Sequence, residues 1–442
     1  MSGTRKPTDL IMVVTSDMAG QLRGKAMTCA DRTKRAHIGV GWTPTNIFQT
    51  TFGPIADTPW GAFGDLMLRP DFSTLIDLEI PEHGIDESFV IGDVFTLDEQ
   101  PWACCLRGQL KAAIDTLRER HGISLTVAFE HEFHFSGARA QDGLGYSLRA
   151  LRRMGAFPAR LMETVEKAGL SPDTFSPEYG PGQCEVTVKP QAPLRAADEA
   201  VILREMTRAV ARGLDARASF APIIDPSGVG NGVHVHFSLQ DASGNQVGYD
   251  RNGPNGLSEV AGRFVAGMLK YLPEYLCMTA PSVASYMRLT PHRWSAAFNN
   301  LGVQDREAAI RICPVFRESG REDISDRFHL EFRAADAAAS PYLFLAALLR
   351  AGISGLDEQL QTPAATRTDL AELDEQSLAD LGIERLPQSL SDALERLSQS
   401  DWAQQAFGPT LVDAYLRHKR SEVDQLKDLS DDEICAKYAE AY

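Results

Sequence analysis

Residues 127–135, Val-Ala-Phe-Glu-His-Glu-Phe-His-Phe, form a short stretch that mixes apolar and polar positions and is β-branched or aromatic at most of the apolar ones, which predicts a strand. Alternate side chains of a strand share a face, so Glu130, Glu132 and His134 lie on one side and Phe129, His131, Phe133 and Phe135 on the other. The strand rise sets the two carboxylates ~7 Å apart. Such a pair is costly inside a protein unless cations neutralise it. The same design recurs in three distant segments. Residues 183–189 set Gln183, Glu185, Thr187 and Lys189 opposite Cys184, Val186 and Val188. Residues 232–239 set His234, His236 and Ser238 opposite Val233, Val235 and Phe237, and residues 329–334 set His329, Glu331 and Arg333 opposite Leu330, Phe332 and Ala334. Any one such strand is ordinarily explained by a solvated face. Solvated faces favour Lys, Thr, Ser and Gln, whereas these four are rich in Glu and His. Paired into one curved sheet, their charged faces converge on a common lumen.

Helical spacing predicts further elements over residues 107–121, 158–169, 196–216, 257–275 and 341–353. Residues 390–397 and 406–426 read as surface helices with Lys and Glu outward. Near the N-terminus, residues 10–27 read as a hairpin, and residues 65–71 and 88–97 as strands. Between them residues 39–64 are rich in Gly, Pro, Thr and aromatics, the chemistry of a lid or binding loop. The fold class is α+β, with a small mostly-β module over residues 1–104 and a large domain over residues 105–442. A chain of 442 residues is long for one ordinary domain, which supports the division.

A formal net charge of -16, without a visible basic stripe, argues against nucleic acid as the main partner but not against ATP, which a few placed arginines and metal ions can hold. No run of apolar residues is long enough for a membrane span, and residues 1–8 are polar and basic, so the expected location is the cytoplasm. Seven cysteines without a Cys-x-x-Cys pair read as reduced thiols used in packing. The turn Pro226-Ser227-Gly228-Val229-Gly230-Asn231-Gly232 lets backbone approach a ligand closely, yet lacks the ending of a P-loop.

Five motifs in order then carry a resemblance. They are Glu130-x-Glu132; Glu178-x-x-x-Gly182-Gln183-x-Glu185; Gly232-Val233-His234-Val235-His236-Phe237-Ser238-Leu239; Arg306-Glu307-Ala308-Ala309-Ile310-Arg311-Ile312; and Glu331-Phe332-Arg333-x-x-Asp336 leading into Pro341-Tyr342. The chain resembles the glutamine synthetase family over nearly its whole length. The resemblance implies a small N-terminal β-grasp domain and a large catalytic domain built as a curved antiparallel half-barrel with surrounding helices. It also implies an ATP-dependent ligase that activates a carboxylate as an acyl phosphate, using two or more divalent ions, Mg2+ or Mn2+. By the same resemblance Glu132, Glu178 and Glu185 hold one metal, and Glu130, His234 and Glu331 the other. Arg306, Arg311 and Arg333 stabilise the transferring phosphoryl group, and Arg306, Arg311, His236 and Ser238 face ATP. Arg288, Gly230 and Glu132 hold the amino-acid substrate. Such charge crowding during phosphoryl transfer is what metals and arginines neutralise.

Departures from the family pattern redirect the expected nucleophile. The ammonium pocket of glutamine synthetases uses an Asp-Gly-Ser-Ser loop and a Pro-Gly-Tyr-Glu-Ala-Pro flap. Here residues 51–64 contain no such loop, and the flap reads Pro291-His292-Arg293-Trp294-Ser295-Ala296, with Trp294 at the Glu position. An indole offers an apolar or cation-π wall. The resemblance therefore points to the γ-glutamylamine ligase branch, making a γ-glutamyl amide from glutamate and a small organic amine through γ-glutamyl phosphate. Ammonia stays open as nucleophile if Asp57 or His292 replaces the missing acid, and Val229, where the family carries Asn, leaves the acyl donor open. A catalytically silent sensor or scaffold is the third reading. Two stacked hexamers are expected, with active sites between subunits and Trp60 near the neighbour's amine pocket.

Overall fold

The computed structural model describes residues 6, 8–139, 143–316 and 323–442. All four alternating segments become neighbours in one sheet. Strand Ile123–Phe135 pairs antiparallel with Gln183–Val188 on one side and Val233–Asp241 on the other, and Leu330–Phe332 pairs antiparallel with Val233–Asp241. The nine-stranded sheet continues through Ile310–Ile312, Leu301–Val303 and Ala365–Thr366 at one edge and ends with Pro172–Pro177 at the other, while Ala218–Ser219 pairs off the path. Burial along Ile123–Phe135 alternates strictly, with Phe129, Phe133 and Phe135 buried and Glu130, Glu132 and His134 half-buried. His131 falls on the buried side, stacked on Phe129.

Helices cover the apolar face of this sheet. Glu259–Thr279 and Pro341–Asp357 pack along each other, and Leu106–His121 and Pro193–Arg212 complete the layer. Phe344 of the Pro341 helix meets Phe129 and Phe332 of the sheet edge-on or tilted. Ser258 caps the Glu259 helix by accepting the Ala261 N–H. Among the described residues, no helix is long and apolar enough to cross a membrane.

The small sheet runs Leu22–Thr28, Leu10–Ser16, Ile85–Thr96, Leu66–Pro70 and Val40–Trp42, with Ile76–Ile80 on the long strand. Two buried arginines fasten it to the large sheet's helices. Arg107 reaches Asp71 and Asp93 of the small sheet's loops and strand and Asp198 of the Pro193 helix, at 2.9, 3.0 and 2.9 Å. Arg204 donates to the Gly20 carbonyl at 2.7 Å and to the Ala339 carbonyl at 3.3 Å.

One expectation is overturned at the C-terminus. Helix Pro409–Leu426 is not a surface helix with its Lys and Glu outward: His418, Lys419 and Glu422 are buried, and Lys419 pairs with Glu422 at 3.1 Å. The 49–51 loop lies over it, with the Gln49 carbonyl on His418 and the Thr51 hydroxyl on Glu422, and Tyr438 closes the other side. A local pattern of charge cannot report a distant segment that supplies its partners.

Candidate active site

Register, more than proximity in sequence, builds the site. Glu130 stands directly opposite His234, Glu132 opposite Glu185, His236 opposite Glu331, and Glu331 opposite Arg311. The alternation that puts one of these side chains on the charged face therefore puts all of them there. His234 Nδ1 lies 2.9 Å from Glu130 Oε1 and 3.6 Å from Glu331 Oε1, and His236 Nε2 lies 3.4 Å from Glu130 Oε2. Glu331 is also ion-paired with Arg311 at 2.9 Å and with Arg333.

These contacts divide the carboxylates into two electrostatic classes. Burial works against ionisation of Glu130, but hydrogen bonds and charge from His234 and His236 outweigh it and hold the carboxyl far below the usual range. Glu331 behaves likewise, held down to about 2 against burial by the charges of His234 and Arg333. Further along the same face, no cation among the described residues opposes burial in this way at Glu185 and Glu178. Burial, then the charge and hydrogen bond of Glu130, push Glu185 up to about 10, with Glu178 and Glu132 adding to the repulsion. Glu178 is raised by burial and by Glu132, although the Tyr146 hydroxyl bonds it.

That imbalance tests whether a cation fits. Crowded carboxylates that must retain a proton gain an ionised, neutralised state when a divalent ion replaces it. Glu130, His234 and Glu331 bring one ligand atom each within 4.8 Å of one another, an oxygen-rich set with one imidazole that suits Mg2+ or Mn2+. Glu132, Glu178 and Glu185 surround the neighbouring space more loosely, and the Gly232 N–H already occupies Glu132 Oε2 at 2.6 Å.

The glycine-rich turn supplies the next wall. Gln183 Nε2 donates to the Gly230 carbonyl at 2.9 Å and to Asn231 Oδ1 at 3.1 Å, tying the turn to the Glu178 loop. Arg288 is buried against Gly230 and Gly232, where a Cβ at either position would come within 2.5 Å of its side chain. Its Nη1 has no hydrogen-bond partner among the described residues, a buried donor ready for an anionic ligand. Burial lowers the Arg288 pKa, opposed by Glu132 and Asp336, and burial raises Asp336 to about 6 against the pull of Arg288.

The flap closes the site from a third direction. Trp294 is 62% exposed with φ of +53°, and the Arg306 guanidinium lies 5.9 Å from its ring centroid. Its backbone N–H and that of His292 donate to the two oxygens of Glu307, each at 3.0 Å. Arg293 donates to the Pro226 and Gly228 carbonyls at 3.0 Å each, and Arg333 Nη2 donates to the Trp294 carbonyl at 3.3 Å. Arg333 Nε donates to the Arg306 carbonyl at 2.9 Å, and Ser238 accepts from Gln246 at 3.2 Å. Within one chain Trp60 stays in the small domain, packed on Phe48 and Trp102. Of the alternative acids, Asp57 is engaged by Arg417 at 2.6 Å, whereas the His292 ring is exposed, 3.7 Å from Asp369. The positioning roles of Glu307, Arg293 and Tyr146 were not visible in the sequence, because loop-to-loop contacts leave no periodicity.

The same two-domain fold is found among known proteins. Residues 2–102 match the glutamine synthetase N-terminal domain and residues 103–438 the glutamine synthetase catalytic domain. A gamma-glutamylpolyamine synthetase of Streptomyces coelicolor is 32% identical, over 98% of this chain and 93% of its own. A glutamine synthetase of Thermococcus kodakarensis is 30% identical, over 91% and 86%. The crystal structure of a novel glutamine synthase homolog superposes with a TM-score of 0.90 at 38% identity, covering 100% of both chains. A complex of GmaS with ADP superposes with a TM-score of 0.82 at 25% identity, covering 96% of both. The chain belongs to the glutamine synthetase family and is an ATP-dependent carboxylate-amine ligase.

Proposed function

We propose that the enzyme joins glutamate to a small organic amine, forming a γ-glutamyl amide through γ-glutamyl phosphate. The observation that carries this reading is the flap: Glu307 fixes the backbone of His292 and Trp294, and an indole stands where the flap pattern of glutamine synthetases has a carboxylate. An amine bearing a carbon chain gains from that apolar and π surface, whereas ammonium gains from an acid that takes its proton. The gamma-glutamylpolyamine synthetase among the relatives supports the same chemistry.

Arg288 binds the α-carboxylate of glutamate with the Gly230 backbone alongside, and Glu132 faces its ammonium group. Glu130, His234 and Glu331 hold one divalent ion, and Glu132, Glu178 and Glu185 another. Bound Mg2+ or Mn2+ neutralises the triphosphate and the developing charge on the transferring group. His236 and Ser238 contact ATP, and Arg306, Arg311 and Arg333 cradle the phosphoryl group. Arg311 and Arg333 are ion-paired with Glu331, so a phosphoryl group competes with that carboxylate for their donors. We place the enzyme in two stacked hexamers, with the Trp60 loop of one subunit beside the amine pocket of the next. The test uses glutamate carrying heavy oxygen in its γ-carboxylate, with ATP and an alkylamine. Label appearing in inorganic phosphate, together with an amide product, supports the scheme; label-free phosphate refutes the acyl phosphate.

A further inference from the structure

Beside the carboxylate set lies a second group of donors, chemically different, of which the ligase reading uses His236 alone. Cys313, His236 and His329 bring one ligand atom each within 4.8 Å of one another. We propose that these three residues form a separate site for a soft divalent ion of the Zn2+ class, and that the ion inhibits the enzyme by holding His236 away from the ATP phosphates. The inhibitory half rests on the role assigned above to His236; the site itself does not.

The ring nitrogens are already divided as such a site requires. His329 Nδ1 lies 2.8 Å from the Arg327 carbonyl, which can only accept, so Nδ1 carries the proton and Nε2 is left as a free donor to metal. His236 Nε2 faces Glu130 Oε2 at 3.4 Å, so in the neutral ring Nε2 carries the proton and the Nδ1 lone pair faces the sulfur. A carbonyl or carboxylate behind each ligating imidazole is the usual support of a zinc site. The Cys313 sulfur lies 3.9 Å from His236 Nδ1. Tetrahedral zinc with bonds of ~2.3 Å to sulfur and ~2.0 Å to nitrogen separates those two atoms by about 3.5 Å. The two rings are 5.3 Å apart, so a small closure completes the set.

A solvent water supplies the fourth position, because Glu331 Oε2, 3.7 Å from the sulfur, is already engaged by Arg311 at 2.9 Å. Cys313 is buried, but the His236 side chain is 25% exposed and opens the group to solvent. One thiolate and two imidazoles favour Zn2+ over Mg2+, so this site selects against the ion that the carboxylate set takes. On binding, the thiol S–H bond breaks, its proton goes to water, and a sulfur–metal bond forms.

Co2+, which reports thiolate ligation by a charge-transfer band, serves as the probe on the full-length protein in Mg2+ buffer. The expected result is one equivalent of Co2+ giving that band, displaced by Zn2+ and absent in Cys313→Ser. His329→Gln should weaken Co2+ binding by at least about tenfold. ATP affinity is then measured with one equivalent of Zn2+ per subunit, and is expected to fall in the wild type and to hold in Cys313→Ser. No band in the wild type, or a band that persists in Cys313→Ser, overturns the site. A band with equal ATP affinities in both proteins overturns the inhibition. Because neither readout needs turnover, a failure of the amine-ligase reading is seen separately, as absence of amide product.

Discussion

Glu307 holds Trp294 in place through its backbone, Oε1 accepting the Trp294 N–H at 3.0 Å while Oε2 accepts that of His292. Both held residues have positive φ, +53° and +61°, a region that costs residues other than glycine of order 1 kcal/mol or more. Two hydrogen bonds to one carboxylate, each worth about 1.5–3 kcal/mol, offset that cost. Glu307→Ala should therefore loosen the flap without unfolding the protein. Steady-state kinetics should record a drop of about tenfold or more in kcat/KM for the amine, with little change in Tm; an unaltered kcat/KM would remove the flap from the account.

Trp294→Glu restores an acid where the ammonium-using relatives carry one. The expected outcome is a shift of the ratio of kcat/KM values for ammonium and amine toward ammonium by about tenfold or more, the scale of a single charged contact. Competition assays that quantify both amides read the ratio directly. An unchanged ratio would count against the indole as the selecting group.

Glu331 is the carboxylate between two buried guanidinium groups, Arg311 and Arg333. Glu331→Gln leaves both short of a countercharge in a buried setting, which costs about 3–5 kcal/mol. Denaturant melts without divalent ions should show that loss. Mg2+ should also raise the midpoint of the wild type and raise that of the variant much less, since a ligand stabilises in proportion to its preference for the native state.

Two histidines set the acid side of stability. Burial, helped by the charge of Arg204 beside one and of Lys419 beside the other, holds His131 and His418 down to about 3, whereas both return to the ordinary value of 6.5 on unfolding. Between about pH 6.5 and 3 the unfolded chain thus binds more protons than the folded one. Stability falls with pH in that window, by about 1.4 kcal/mol per pH unit for each histidine. His418→Gln, which keeps a donor for the Gln49 carbonyl, should make the decline shallower; a parallel curve for the variant would contradict the assignment.

Much of this site was legible because strand periodicity is a short-range signal with a long-range consequence. Once Glu130, Glu185, His234 and Glu331 alternate with buried apolar residues, antiparallel register brings them together without further information. Contacts between loops have no such signature. The Gln183 clamp on Gly230, the Glu307 pin and the Arg293 bridge depend on chain paths that no local pattern encodes. The same holds for Glu422, which reads as solvated although the Thr51 hydroxyl, 371 residues away in sequence, bonds it beside its pair with Lys419. Cys313 read as packing alone, and only the fold sets it beside two imidazoles.

The central claim, an amine in place of ammonia, is tested most directly by ADP release from the purified enzyme with glutamate, ATP and Mg2+. The panel of acceptors is ammonium, alkylamines, ethanolamine, polyamines and anilines. The account predicts that at least one organic amine stimulates ADP release well above ammonium and yields the matching γ-glutamyl amide. Ammonium as the best acceptor, with glutamine as the product, would contradict it.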